Sequence, residues 1–533
     1  MLSYSWDFAR FARSGPSVGT GVVDGVSSSI VLFHTDLSDG PKTGYDNNNG
    51  CYVTLFGYGF GAIRGAGSVS LGGGTVASYF SWSDTKIIVQ LGPAVSTGDF
   101  TVTNNSGQSA TGCLQKPFES SSDFTVRSGS IVEVTTSNAA SVLPTISAGN
   151  VYYVRSGTYN GIYNASAGSP FETFEIDNSH SGSANNNIGI VGYPGEQPRF
   201  NGQTGRETCV HLNWAGDLVT PAHHITFSNL YLNGGMDGGA TLSLSRSGGH
   251  HIRLVGCKIT AEIWGSSVVS TGAVDAPGNY WHILSNEFTQ IGGVSNNQAH
   301  ALYVQVGASF IRIAWNYFHG NRTGAQVQIH TDAQAHDGGG VDVFDFQDVQ
   351  VFSNVLTGTA VGTDDARGIT CSDMTAGSTT FIYNNVLYTT GRGDGAIILI
   401  QGTHKVWNNT LYKCTGVPIV VSYFPPTDRY NVEIKNNIIY NNSGVTYVAR
   451  DGGTSPYVVD NNCYFGNGSG PGVDAHPINS DPLFTNAAAL DFTIQSGSPC
   501  KNAGVTLASV TVDKNGVPRP QGASYDVGAF EYH

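Results

Sequence analysis

The chain has 533 residues, enough for one long repetitive domain with attachments or for two or three ordinary domains. Charged residues make up only 12% and Gly takes 70 positions, a balance that suits a β-rich extracellular protein and argues against a helical cytosolic one. The net charge of −14 argues against nucleic-acid binding, and no apolar run is long enough to span a membrane.

Residues 1–28 are an N-terminal segment rich in Gly and Ser. Its start, MLSYSWDFARFARSG, lacks the apolar stretch of a secretory leader. The expectation is that a leader has been removed, or that the protein is released another way, such as phage lysis.

From residue 29 to residue 127 the pattern is short strands with tight turns at sandwich spacing: CYVTLFGYGFG, GSVSLGG, KIIVQL and GDFTVTNNSGQSA. On the LFGYGFG turn, the VSLGGGTVASYFSWSDTKIIVQL run and the TGDFTVTNNSG hairpin, this stretch resembles an IPT/TIG immunoglobulin-like domain. The resemblance implies a spacer or binding module, with Gly57, Gly59 and Gly61 in a β-turn and not in a nucleotide loop.

Residues 128–465 read as a solenoid. One phrase returns as ITFSNLYL, IRLVGCKI, WHILSNEF, IRIAWNYF, VQVFSNVL, FIYNNVLY, HKVWNNTL, VEIKNNII and YVVDNNCY. Aligned on Asn229, Cys257, Asn286, Asn316, Asn354, Asn385, Asn409, Asn437 and Asn462, the copies are 28, 29, 30, 38, 31, 24, 28 and 25 residues apart. A drifting period with alternating Val, Ile, Phe and Tyr means coils of short strands, with insertions in loops. The reading is a right-handed parallel β-helix, in which stacked coils share one core. Each Asn is assigned to a sharp bend where it accepts a left-handed backbone and bonds to the next coil. Cys257 is taken as a single break in that ladder.

ISAGNVYYVRSGTYN and IGIVGYPGEQPRFNG resemble the opening coils of secreted β-helix proteins of the pectate-lyase-like superfamily. Residues 466–533, with DPLFTNAAALDFTIQSGSPCKNAG, DKNGVPRP and YDVGAFEY, resemble the C-terminal segment of secreted bacterial β-helix polysaccharide-active proteins. They are assigned as the cap of the last open coil. The fold class is therefore all-β: an N-terminal immunoglobulin-like β-sandwich followed by a right-handed parallel β-helix solenoid.

The eight Cys include no C-x-x-C, so a zinc or thioredoxin site of that type is not indicated. Most sit at strand positions and read as small core residues; Cys51 with Cys113, and Cys463 with Cys500, are the candidate disulfides.

Chemistry is sought on a second strand of each coil. If Leu302, Val327, Ile369 and Ile397 point inward, Tyr303, Gln328, Thr370 and Ile398 form one outward column and Gln305, His330, Ser372 and Ile400 the next. Aromatic rings stack on sugars and amides bond hydroxyls, so this face reads as glycan-binding, with Gln326 included. His300, Arg322, Arg367 and Arg392 fall just before these strands, with Asp364, Asp365 and Asp394 near them in sequence. The Arg residues suit bidentate capture of carboxylates on an acidic polysaccharide, and equally suit pairing with neighbouring Asp. His330 and Asp332 precede a long insertion carrying Asp337, Asp342, Asp345 and Asp348. Asp337, Asp342 and Asp345 are candidate Ca²⁺ ligands, although their spacing matches no EF-hand loop.

Two mechanisms compete. In β-elimination, His330 or an Arg removes the C5 proton of a uronate, Tyr303 protonates the leaving oxygen, and Arg322 and Arg367 (or Ca²⁺) neutralise the carboxylate. Hydrolysis instead needs two carboxylates roughly 5–9.5 Å apart, for which Asp332, Asp364, Asp365 and Asp373 are available. The Asn-Thr-Asp and Gly-His-Gly motifs of polygalacturonases are absent, and TDDARG at 363–368 is a faint echo. No single Arg or Lys carries the local motif of pectate lyases, so the lyase reading rests on the Arg cluster. The preferred expectation is an extracellular polysaccharide lyase. The rivals are a glycoside hydrolase on the same fold and a phage tailspike, fibre or surface protein that only binds glycans. A monomer suits the enzyme and a homotrimer the spike.

Overall fold

The computed structural model describes residues 30–533 apart from 161–171, 177, 203–207, 213–220, 235–241, 245–247, 262–268, 271, 274–275, 292–299, 306, 323, 331–344, 359–366, 373, 376, 391–394, 423–429, 441–445 and 451–455. Three long parallel sheets run the length of the solenoid. Among the described residues they hold 12, 11 and 10 strands. The first sheet runs from Ile131–Val134 to Tyr457–Asp460, the second from Thr158–Asn160 to Cys463–Phe465, and the third from Glu172–Ile176 to Val448–Arg450. Each complete coil gives one strand to each sheet. Inward residues at every second position, such as Ile283, Phe318, Val327 and Leu411, make one continuous buried core. A single coil buries too little to stand alone, so the coils depend on one another.

The Asn ladder sits at the corner between the first and second sheets. Asn286, Asn316, Asn354, Asn385, Asn409, Asn437 and Asn462 are all fully or almost fully buried. Each side-chain oxygen accepts from the previous rung: Asn354 Oδ1 takes the backbone N–H of Asn316 at 2.9 Å and its Nδ2 at 3.0 Å. The ladder ends on Asp474, whose Oδ2 accepts from Asn462 Nδ2 at 2.9 Å.

Two details differ from the sequence reading. The left-handed residue is the one before each ladder Asn: Ser285, Trp315, Ser353, Asn384, Asn408, Asn436 and Asn461 have φ between 51° and 57°. Asn229 belongs to that set, with φ 54°. Ser228 is in register with Val255, so Leu230, not Asn229, aligns with Cys257. The ladder therefore begins at Asn286, whose Oδ1 accepts from the Cys257 N–H, and Cys257 is its end and not an interruption.

The N-terminal residues form two antiparallel four-stranded sheets around Leu55, Phe60, Val89, Phe100 and Phe124. This sandwich lies against the outer side of the first sheet. Its core takes in Val151, Tyr153 and Val191 of the solenoid. Further along, Phe56 packs with Val255, Leu284, Ala314, Trp315 and Phe352. At the Gly256 corner (φ 64°) a Cβ would stand 3.1 Å from the Phe56 ring, so the bare backbone serves both the turn and the docking.

The C-terminal residues first continue the last coil, with Val459 bridging Asp474 and Cys463 bridging Ile478. They then run back along the outside. Phe484, Phe492, Ile494 and Phe530 cover the outward side of the second sheet at Val355, Val386, Tyr412 and Ile438. Asn384 Nδ2 donates to Val512 O, Asn436 Nδ2 to Val505 O and Asn461 Nδ2 to Ala503 O, each at 2.8 Å. The left-handed corner residues thus fasten this segment to the solenoid.

All eight cysteines are free and buried. The two candidate disulfides are absent, and Cys463 and Cys500 touch as thiols. The core role holds instead: a Cys thiol fills a small apolar gap without a polar demand.

Candidate functional site

The third sheet carries the outward columns. Tyr303 is in register with Gln328, and Gln305 with His330. Gln328 then pairs with Thr370 and His330 with Ser372, and Thr370 pairs with Ile398. Leu302, Val327, Ile369 and Ile397 are fully buried beneath them. The period of two therefore places these side chains as the sequence indicated.

The polar groups of this face are coupled. Gln328 Nε2 donates to Ser372 Oγ at 2.9 Å, and His330 Nδ1 lies 3.0 Å from the same oxygen. The Tyr303 ring lies 5.2 Å from that of His300 and 5.9 Å from that of His330, centroid to centroid. His300 Nδ1 accepts the Ala325 N–H at 3.0 Å. Arg367 pairs in register with Ala325, so His300, Ala325 and Arg367 mark one edge across three coils. Burial pushes the His300 pKa down to about 4, helped by His330 and Arg367 nearby. His300 is thus neutral at pH 7, and its Nδ1 lone pair is already committed. Thr370 Oγ1, buried between the columns, has no hydrogen-bond partner among the described residues.

Not every expected group reaches this face. Gln326 is fully buried; its Oε1 accepts from Asn321 at 2.6 Å and its Nε2 donates to Thr357 O at 3.1 Å. It stitches the corner between the second and third sheets and is not a sugar-facing group. Arg322 is exposed three residues before the strand Ala325–His330. Asp345 is exposed and accepts from Thr375 Oγ1. Asp332, Asp337, Asp342, Asp364, Asp365, Asp373, Arg392 and Asp394 lie outside the described residues.

A second polar cluster escaped the sequence reading. His223 and His224 end the approach to one first-sheet strand, and His250 and His251 the next, in register. The rings stack: His223 on His250 at 4.7 Å, His224 on His251 at 4.5 Å. The signal was present as two HH pairs one coil apart. Glu119, which joins them from the sandwich side, carries no such signal.

Residues 332–487 match the family described as the right handed beta helix region. With the three parallel sheets, that match decides the fold. The solenoid is a right-handed parallel β-helix. Similar solved structures include the pectate lyase Pel9A, at 13% identity over 76% of this chain and 96% of that one, with a TM-score of 0.42. An alginate lyase from Paenibacillus sp. str. FPU-7 is 15% identical over 66% of this chain and 95% of that one, with a TM-score of 0.32. The catalytic domain of a GH87 alpha-1,3-glucanase is 12% identical over 89% and 87%, also at 0.32. No curated protein matches the chain. Among the described residues, no helix of this β-helix protein is long and apolar enough to cross a membrane.

Proposed function

We propose that the β-helix binds and cleaves an extracellular polysaccharide on the outward face of its third sheet, acting on an acidic one by β-elimination. One observation carries this reading. Among the described residues, the clusters that fasten the sandwich and the C-terminal segment to the solenoid use outward residues of the first and second sheets and none from the third. The third sheet carries outward columns of Tyr, Gln, His, Thr and Ser: Tyr303, Gln305 and His330 are partly exposed, with Gln328, Thr370 and Ser372 buried among them, and the exposed groups suit stacking on a sugar ring and bonding to its hydroxyls.

The roles follow from the hydrogen bonds. Ser372 Oγ has two lone pairs and one proton. When it accepts from both Gln328 and His330 Nδ1, the imidazole is held in the tautomer whose Nε2 is the basic nitrogen. His330 is then the group that takes the C5 proton of a uronate, and Ser372 and Gln328 orient it. Tyr303, one coil back, is the proton donor to the leaving oxygen. Arg367 and Arg322 offset the carboxylate charge as it becomes enolate-like. His300 does not serve as the base at Nδ1, because that lone pair faces the Ala325 N–H. The carboxylates that hydrolysis would use, Asp332, Asp364, Asp365 and Asp373, lie outside the described residues.

The test is kinetic. His330→Ala and Tyr303→Phe should each lower the cleavage rate by roughly 100-fold or more, with the unfolding midpoint close to the parent's. Rates within about twofold of the parent for both would move the site off this face.

A further inference from the structure

We propose that His224, His250 and His251, with His223 beside them, form a binding site for a divalent transition-metal ion, zinc by its donor set, at the junction of the sandwich and the β-helix. One ring nitrogen from each of the first three lies within 4.8 Å of the others. This site is on the first sheet and is independent of the glycan face.

The hydrogen bonds show which lone pairs are available. His224 Nε2 lies 2.8 Å from Glu119 Oε2, and His251 Nε2 lies 3.3 Å from Glu119 Oε1. An ionised carboxylate only accepts, so the hydrogen bond to Glu119 puts the His224 proton on Nε2 and leaves a lone pair on its Nδ1, while the His251 ring stands at ion-pair distance from the same carboxylate. In both rings Nδ1 faces a neighbour: His224 Nδ1 is 2.9 Å from His223 Nδ1, and His251 Nδ1 is 2.6 Å from His250 Nδ1. The two close Nδ1 pairs thus stand on successive coils, with the Glu119 carboxylate beside the His224 and His251 rings. A carboxylate taking the second N–H of a ligating His is the usual outer support of a metal site, because it fixes the tautomer and makes the ring a better donor.

In each close pair one Nδ1 carries the proton and the other accepts it, so an ion bonded to these nitrogens at about 2.0–2.1 Å would displace those protons, the donor ring keeping its proton on Nε2 or releasing one to solvent. Imidazole donors favour zinc, copper or nickel over calcium or magnesium.

The adjoining cavity fits the same assignment. It has a volume of about 40 Å³, room for water or an ion, and its lining includes Glu119, His224, His251, Tyr280, Arg253 and His282. Arg253 Nη1 donates to His282 Nδ1 at 2.9 Å, so the proton of His282 sits on Nε2. That buried Nε2 has no partner among the described residues. Because Glu119 comes from the sandwich side and the four His from the solenoid, an ion here would tie the two together.

The experiment is calorimetric titration of untagged, EDTA-stripped full-length protein with Zn²⁺, and separately with Ca²⁺ and Mg²⁺. The expected result is one Zn²⁺ per chain, a raised melting midpoint, and no binding of the other two ions. His250→Ala and His251→Ala should each weaken Zn²⁺ binding by at least about tenfold. Glu119→Ala should weaken it by about 10–100-fold, and this half-exposed position does not put folding at risk. Co²⁺ should give the visible bands of a four-coordinate nitrogen site. Absence of Zn²⁺ binding in the parent would overturn the proposal. So would binding that survives undiminished in both Glu119→Ala and the His250→Ala, His251→Ala double variant.

Discussion

At the scale of single residues, a rigid strand gives each side chain a fixed address, and the outward columns of the third sheet show it. Leu302, Val327, Ile369 and Ile397 are buried in the core, so Tyr303, Gln328, His330 and Ser372 point away from it, Tyr303 and His330 partly exposed and Gln328 and Ser372 buried among their neighbours. That much followed from a period of two. Gln326 shows where the rule stops. It has outward parity, but the chain bends at Asn321, and the amide turns under the corner to meet Thr357 O. Alternation holds within a strand and fails at its ends. The Arg positions make the sharpest residue-level test of the acidic-substrate reading. Arg322→Ala combined with Arg367→Ala should weaken turnover of anionic polysaccharides by at least about tenfold more than that of neutral ones, since charged contacts are worth roughly 1.5–3 kcal/mol each. Equal losses on both substrates would remove the carboxylate clamp.

At the scale of elements, the Asn ladder does what a hydrophobic core cannot: it sets the register of each coil on the next. Asn354 Oδ1 satisfies two donors of Asn316, and all these groups are buried. Asn354→Leu would leave the Asn316 backbone N–H and one of its two amide N–H groups without an acceptor, the other still reaching Ile283 O. The expected cost is about 2–4 kcal/mol, from roughly 1–3 kcal/mol per stranded group, read by denaturant unfolding. A cost under about 0.5 kcal/mol would mean that water or a neighbour replaces the amide. The ladder was legible because Asn recurred at coil spacing. Its phase was not: Asn229 and Asn286 look alike in their phrases, and only the pairing of Ser228 with Val255 shows that Asn229 stands one residue early. The side-chain fastening of the C-terminal segment through Asn384, Asn436 and Asn461 was likewise hidden, because each carries the same residue type as its ladder neighbour and only backbone handedness separates the two roles.

At the scale of the whole molecule, the sandwich, the solenoid and the C-terminal segment share buried surfaces, and acid should loosen them together. His34 is fully buried at the sandwich junction, with Nε2 2.7 Å from Ser285 Oγ; burial, with Arg253 nearby, pushes its pKa down to about 3. His404, fully buried under the first sheet, is pushed down to about 4. In the unfolded chain both titrate near their ordinary value of about 6.5. Below that pH the unfolded chain takes up protons that the folded chain refuses, so stability is lost as pH falls toward about 4. Asp36, whose pKa is raised by burial, acts in the opposite sense in the carboxylate range. The melting midpoint should therefore be lower at about pH 5 than at about pH 7; an equal or higher midpoint at pH 5 would contradict the neutral-His account.

The central claim is cleavage of an acidic polysaccharide on the third sheet. The most direct measurement incubates the protein with a panel of acidic and neutral polysaccharides, with and without Ca²⁺ or EDTA, following both new reducing ends and the ultraviolet absorbance of unsaturated uronates. The account predicts that both signals rise together on an acidic polymer and that both vanish in His330→Ala. New reducing ends without absorbance would contradict it, and would shift the chemistry to a pair of Asp residues.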